Sequence, residues 1–135
     1  MLGRTDGPDG SRGDALAAAR AAVSKQAEDI AVLDVHELIV ITDFFVICSA
    51  TSDRHVRTVV DEVERALRDR DRKPVRREGE TEARWVLLDY VDVVVHVFTE
   101  AEREFYDLER LWRDAPRVAV DDAPPRGQAA GGSLD

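Results

Sequence analysis

The chain has 135 residues, 44% hydrophobic and 35% charged, with 19 basic against 28 acidic side chains and a net charge of −9. That length carries one domain with a real hydrophobic core, while the acidic balance opposes general binding to nucleic acid and suits a basic protein partner. A single cysteine, Cys48, excludes an internal disulfide framework and fits a reducing cytoplasm. No apolar run approaches the roughly 20 residues of a membrane span, and the amino-terminal MLGRTDGPDGSRG lacks the apolar centre of a secretory signal.

Residues 1–13 are rich in Gly, Asp and Arg, and residues 114–135 drift into DDAPPRGQAAGGSLD. Neither stretch has enough to bury to offset the entropy of ordering, so both are expected to be disordered tails around one domain over 14–113. Asp14 is placed to cap a first helix reaching about Ala27, with Leu16, Ala19 and Val23 on one face. Ile30 to Val35 reads as a strand. Asp43 to Ser49 reads as another, and its FFVIC run points to burial on both faces. Ser52 or Asp53 caps the strongest helix, in which Val56, Val59, Val60, Val63 and Leu67 form one apolar stripe. Pro74 is expected to stop it.

Val75 to Arg77 is a short strand, and Glu78 to Glu82 a polar loop. Arg84 to Asp89 and Asp92 to Phe98 follow as a hairpin, with Tyr90 and Val91 in the turn. Thr99 and Glu102 have the spacing of a capping box and open a carboxy-terminal helix. A strand, helix, strand order around Val56 to Leu67 favours a crossover in a mixed sheet. The expectation is an α/β domain of about five strands and three helices.

Asp89 and Asp92, with His96 beyond them, are the best candidates for a metal or acid/base cluster. A turn at Tyr90 and Val91 would set the two carboxylates opposite each other, a repulsion that a cation or basic partner would relieve. Solvated turn acids are the plainer reading, ahead of a partner contact and of a metal. His96, between Val95 and Val97, reads as a hydrogen-bonded core histidine; His36 and His55 read as surface residues. Cys48 has apolar neighbours and no adjacent base, so it reads as a small core residue rather than a nucleophile. Arg65, Arg68, Arg70, Arg72, Lys73, Arg76 and Arg77 crowd one region, but Glu64, Asp69, Asp71 and Glu78 interleave with them. A solvated surface is favoured there over an RNA patch.

The ordered motifs together resemble the ribosomal silencing factor family, also called Iojap-like, over Ala15 to about Asp114. The markers are Lys25, Asp29-Ile30 and Leu33-Asp34, then Thr42-Asp43-Phe44-Phe45-Val46-Ile47 and Ser52-Asp53-Arg54-His55-Val56. Glu78-Gly79, Trp85 to Asp89, Asp92 to Phe98 and Arg103 to Trp112 complete the set. The resemblance implies a nucleotidyltransferase-like α/β fold without the catalytic loop, no enzymatic activity and no cofactor. It also implies binding to the large ribosomal subunit through large-subunit ribosomal protein fourteen, blocking small-subunit joining and damping translation under nutrient limitation. Two positions depart from the family pattern: Val91 stands where many relatives have glycine, and Ser49-Ala50-Thr51-Ser52 lacks a glycine often found there.

For such a partner the contact surface is placed on the hairpin strand, at Trp85, Leu88, Asp89 and Tyr90, with Glu78 and Glu80 as an acidic rim. Because alternate residues point to opposite faces, one of the four strand residues is expected to be core. The rival readings are a metal-dependent nucleotidyltransferase using Asp89 and Asp92, and a homodimeric adaptor in large-subunit assembly.

Overall fold

Two largely apolar segments, β2 (Phe44–Ala50) and β5 (Val93–Thr99), run parallel at the centre of a five-stranded sheet. β1 (Glu28–Asp34) lies antiparallel beside β2. β4 (Trp85–Asp89) and β3 (Arg76–Glu78) continue antiparallel from β5, giving the order β1-β2-β5-β4-β3. The computed structural model describes residues 7–120. The architecture is the mixed α/β sheet that the segment order implies. No helix among the described residues is long and apolar enough to cross a membrane.

Both long helices pack on one face of this sheet. In α2 (Asp53–Arg68), Ser52 accepts a hydrogen bond from the His55 N–H at 3.1 Å, and Val56, Val59, Val60, Val63 and Leu67 are all buried. That stripe matches its sequence pattern. In α1 (Gly7–Ser24) the buried line is instead Ala15, Ala18, Ala19 and Ala22, with Leu16 and Val23 only half-buried. Alanine leaves no bulk between backbones, so the helix sits close to both α2 and the sheet.

The first helix starts at Gly7, so residues 7–13 belong to the folded unit rather than to a tail. Polar contacts hold this extension: Ser11 Oγ donates to Asp43 Oδ2 at 2.8 Å in a buried setting. Asp14 is no cap. It is buried and accepts from Arg70 Nε at 2.7 Å and from Arg72, which also donates to Asp92 at 2.8 Å and to the Tyr90 carbonyl at 3.1 Å. One guanidinium thus joins α1 to the β4–β5 turn.

At the other end, Asp34 N–H donates to the Pro116 carbonyl and Val118 N–H to the Val32 carbonyl, both at 2.8 Å. Residues 115–118 therefore run along β1, and the ordered chain passes the expected boundary at 113. Residues 1–6 and 121–135 of the expected tails lie outside the described residues.

Neither long helix needs a proline to end it. Arg72 N–H reaches the Leu67 carbonyl and Asp71 N–H the Arg68 carbonyl, a Schellman closure with Asp71 at φ 63°, ahead of Pro74. α1 ends in the same way, with Ala27 bonded to Ala22, Gln26 to Val23, and Gln26 at φ 66°. The expected carboxy-terminal helix is broken into α3 (Glu100–Tyr106) and α4 (Leu108–Leu111) by Asp107 at φ 48°, a left-handed conformation that aspartate tolerates better than most residues.

Two stability changes are expected. Replacing exposed Gln26 by glycine should stabilise the fold by about 1 kcal/mol, since glycine adopts the left-handed cap without strain. Arg72→Ala should destabilise it by about 3–5 kcal/mol by leaving Asp14 and Asp92 buried without that partner. Urea unfolding of each variant against wild type checks both.

Candidate partner-binding face

Strand alternation decides which side chains look away from the helices. In β4, Val86 and Leu88 face α1 and α2, while Trp85, Leu87 and Asp89 face the opposite way. The pairing lines that second face up in rows. Phe45, Val94, Asp89 and Arg76 form one, Ile47, His96, Leu87 and Glu78 the next, and Ser49, Phe98 and Trp85 the third. The turn at Asp107 brings Leu108 and Trp112 against the β1–β2 half, where Trp112 meets Phe45 edge-on at 5.4 Å. The β5–β4–β3 half is left open.

At the centre of this open half Trp85 stacks on Phe98 at 4.8 Å and lies 4.5 Å from Tyr106, while its Nε1–H donates to His96 Nδ1 at 3.1 Å. His96 is thus the hydrogen-bonded histidine its neighbours suggested. Its Nδ1 accepts, so the neutral ring carries its proton on Nε2. Burial pushes its pKa down to about 4. Burial likewise pushes the Cys48 thiol up to about 12, which leaves it inert in the core.

Two recesses flank the Trp85–His96 pair. One, of about 370 Å³, is lined by Gly79, Glu80, Glu82, Arg84, Trp85, Glu102 and Tyr106. Gly79 shapes its rim at φ 86°, and a Cβ there would come within 2.0 Å of the Trp85 carbonyl oxygen, so only glycine fits. The other, of about 350 Å³, is apolar and lies between the β4–β5 turn and the loop after β1. Ile41 beside it is 79% exposed and Val91 50% exposed.

The turn itself is shifted by one residue from expectation. Tyr90 pairs with Val93 through a 2.8 Å bond, so Val91 and Asp92 form the loop, and Asp89 stands opposite Val94. Asp89 and Asp92 therefore do not converge. Asp89 accepts from the Val91 N–H at 2.8 Å and from Arg76 at 3.2 Å on the open face. Asp92 turns inward to Arg72. The repulsion foreseen between the two carboxylates is absent because each has an arginine of its own. Among the described residues no group of three or more His, Cys, Asp or Glu is placed to hold a metal ion.

The predicted contact residues divide. Trp85 and Asp89 lie on the open face, Glu78 beside Leu87 at its edge, and Glu80 on the acidic recess. Leu88 and Tyr90, at 0% and 2% exposure, are core residues on the helix side, so two of the four strand residues are core rather than one. The basic run is largely neutralised by acids: Arg65 pairs with Glu62 and Asp69, Arg70 with Asp14, Arg76 with Glu78 and Asp89, and Arg77 with Glu64 and Glu80. His55 bridges Thr51 and the Lys25 carbonyl, and His36 binds Asp34, both near the surface. Leu38, Val40 and Ile41, all exposed, were missed as contact candidates. A run of apolar residues inside a loop was the available signal.

The family model described as ribosomal silencing factor during starvation matches residues 8–133. The chain belongs to this family. It is 43% identical over 104 residues to the ribosomal silencing factor of Bacillus subtilis (strain 168), covering 77% of this chain and 88% of that protein. Over 91 residues it is 35% identical to the mouse protein named mitochondrial assembly of ribosomal large subunit protein 1, covering 65% of this chain and 40% of that one. Among solved structures, a crystal structure of a Chromobacterium violaceum protein matches with a TM-score of 0.73 at 31% identity, over 76% of this chain and 85% of the other.

The buried neutral His96 predicts acid sensitivity for this family member in a defined window. Its folded pKa lies below the unfolded value, so its contribution is complete above about pH 6.5 and is lost as pH falls toward 4, by about 3 kcal/mol in all. His96→Phe should flatten the fall in melting temperature between pH 6.5 and 4. An equally steep fall in the variant would assign the acid limb to other groups.

Proposed function

We propose that this chain docks on the large ribosomal subunit with the open half of its sheet and blocks joining of the small subunit. The partner that the family resemblance implies is large-subunit ribosomal protein fourteen. The bound domain acts as a steric obstacle without catalysis, in the cytoplasm, and damps translation when nutrients are short. The observation that carries this reading is the open face itself. It pairs a half-buried Trp85 and apolar Leu87 and Val94 with a rim of Asp89, Glu78, Glu80 and Glu82, in a chain of family-wide likeness to silencing factors.

Chemistry favours a protein partner over ribosomal RNA. A net charge of −9 repels a phosphate backbone, and the arginines that interrupt the acids are paired to them. Apolar centres ringed by charge are the usual anatomy of protein contacts, with the aromatic anchor contributing affinity and the rim speeding encounter. The nucleotidyltransferase alternative loses support from the opposite orientations of Asp89 and Asp92.

Two measurements test the reading. Pre-incubating purified large subunits with the full chain should lower the yield of joined ribosomes on a sucrose gradient when small subunits are added. Glu78→Lys with Glu80→Lys should slow association severalfold at low salt, a difference that shrinks as the Debye length falls to about 8 Å at physiological ionic strength. Unchanged joining at saturating protein would sink the proposal.

A further inference from the structure

The apolar recess at the hairpin end of the open face has features that the fold alone does not account for. Two polar atoms among its lining residues, Thr42 Oγ1 and His96 Nε2, are buried with no hydrogen-bond partner among the described residues. With Nδ1 occupied by the Trp85 N–H, His96 Nε2 is a donor facing no acceptor, a costly state for a buried group. Val91 is a second anomaly. The Tyr90 carbonyl accepts from the Asp92 N–H at 2.9 Å across it, forcing φ 76° on a β-branched residue. Glycine would make this turn without strain, yet the valine stands half-exposed and lines the recess together with Ile39, Ile41, Phe45 and Val94.

We propose that this recess is a socket for one apolar side chain, aliphatic or aromatic, carried on a basic segment of the partner protein. This deepens, and rests on, the reading of the open face as the docking face. At about 350 Å³ the recess is at the small end of ligand pockets, enough for one side chain and its flanking main chain. Its walls are mostly apolar, with Ile39, Ile41, Phe45, Leu87, Val91 and Val94 among them. The carrier is basic because acids outnumber cations beside the socket: Arg76 meets both Asp89 and Glu78, each at 3.2 Å, and the chain as a whole carries −9, which is the field an approaching segment meets. Strain at Val91 is then part of the binding surface, held in place by the Asp89 and Arg72 contacts on either side of the turn.

The test uses the full chain, purified bacterial large ribosomal subunits, equilibrium binding and thermal melting. Val91→Gly should melt higher than wild type and bind about tenfold more weakly, opposite signs that a purely structural role cannot give. Ile41→Ser, at an exposed position, should melt as wild type and also bind about tenfold more weakly. If both variants bind like wild type while Glu80→Lys weakens binding, the socket is overturned and the docking face stands. If wild type fails to bind large subunits, both are overturned. A wild-type dimer in sedimentation that Ile41→Ser dissociates, with subunit binding unchanged, would give the recess to a second copy and overturn the socket.

Discussion

The two long helices cover the same face of a sheet whose central strands are apolar on both, and the rest of the molecule answers to that asymmetry. A sheet of this kind needs cover on two sides, as parallel central strands usually have. Here the second cover is partial. A broken carboxy-terminal helix and the strand-like segment at residues 115–118 shield β1 and β2, and Trp85, Leu87 and Val94 on β4 and β5 are left half-buried. The face proposed for docking is thus the part of the sheet that no helix among the described residues covers.

Arg72 fixes how that face is presented. By reaching Asp14 on α1 and Asp92 in the hairpin loop, it draws the turn toward the helix layer. Asp92 is taken inward and Asp89 is left on the other side, where it caps the Val91 N–H. Charges adjacent in sequence therefore serve different layers. Tyr90, between them, is buried with its hydroxyl lacking a hydrogen-bond partner among the described residues, and burial raises its pKa.

Much of this was legible in the residues. The valine stripe of α2 needed only its 3.6-residue period, and the hairpin only its length. The alternation in Trp85 to Tyr90 was equally clear, but parity alone does not say which set is covered, because that depends on where helices distant in sequence come to rest. Leu88 and Tyr90 both stand among the contact candidates for that reason, with one core residue expected where there are two. The start of α1 escaped for another: Ser11 and Arg12 are held by polar partners, Asp43 and Asp34, which a search for apolar burial does not see. The apolar recess joins a loop near residue 41 to a turn at residue 91, and no local pattern announces such a meeting.

The segment at residues 115–118 has a consequence beyond shielding. A sheet with a sticky face invites sideways growth if its outer strands also offer free backbone groups. Here Pro116 and Val118 turn their backbone groups in toward β1, which leaves Arg117 between them to face outward, a charged residue paired with Glu109. The opposite margin, β3, is only three residues long and carries Arg76, Arg77 and Glu78. Among the described residues both margins, short and charged, thus discourage edge-to-edge pairing, and the face proposed for docking stays open without a route to polymerise through the strands.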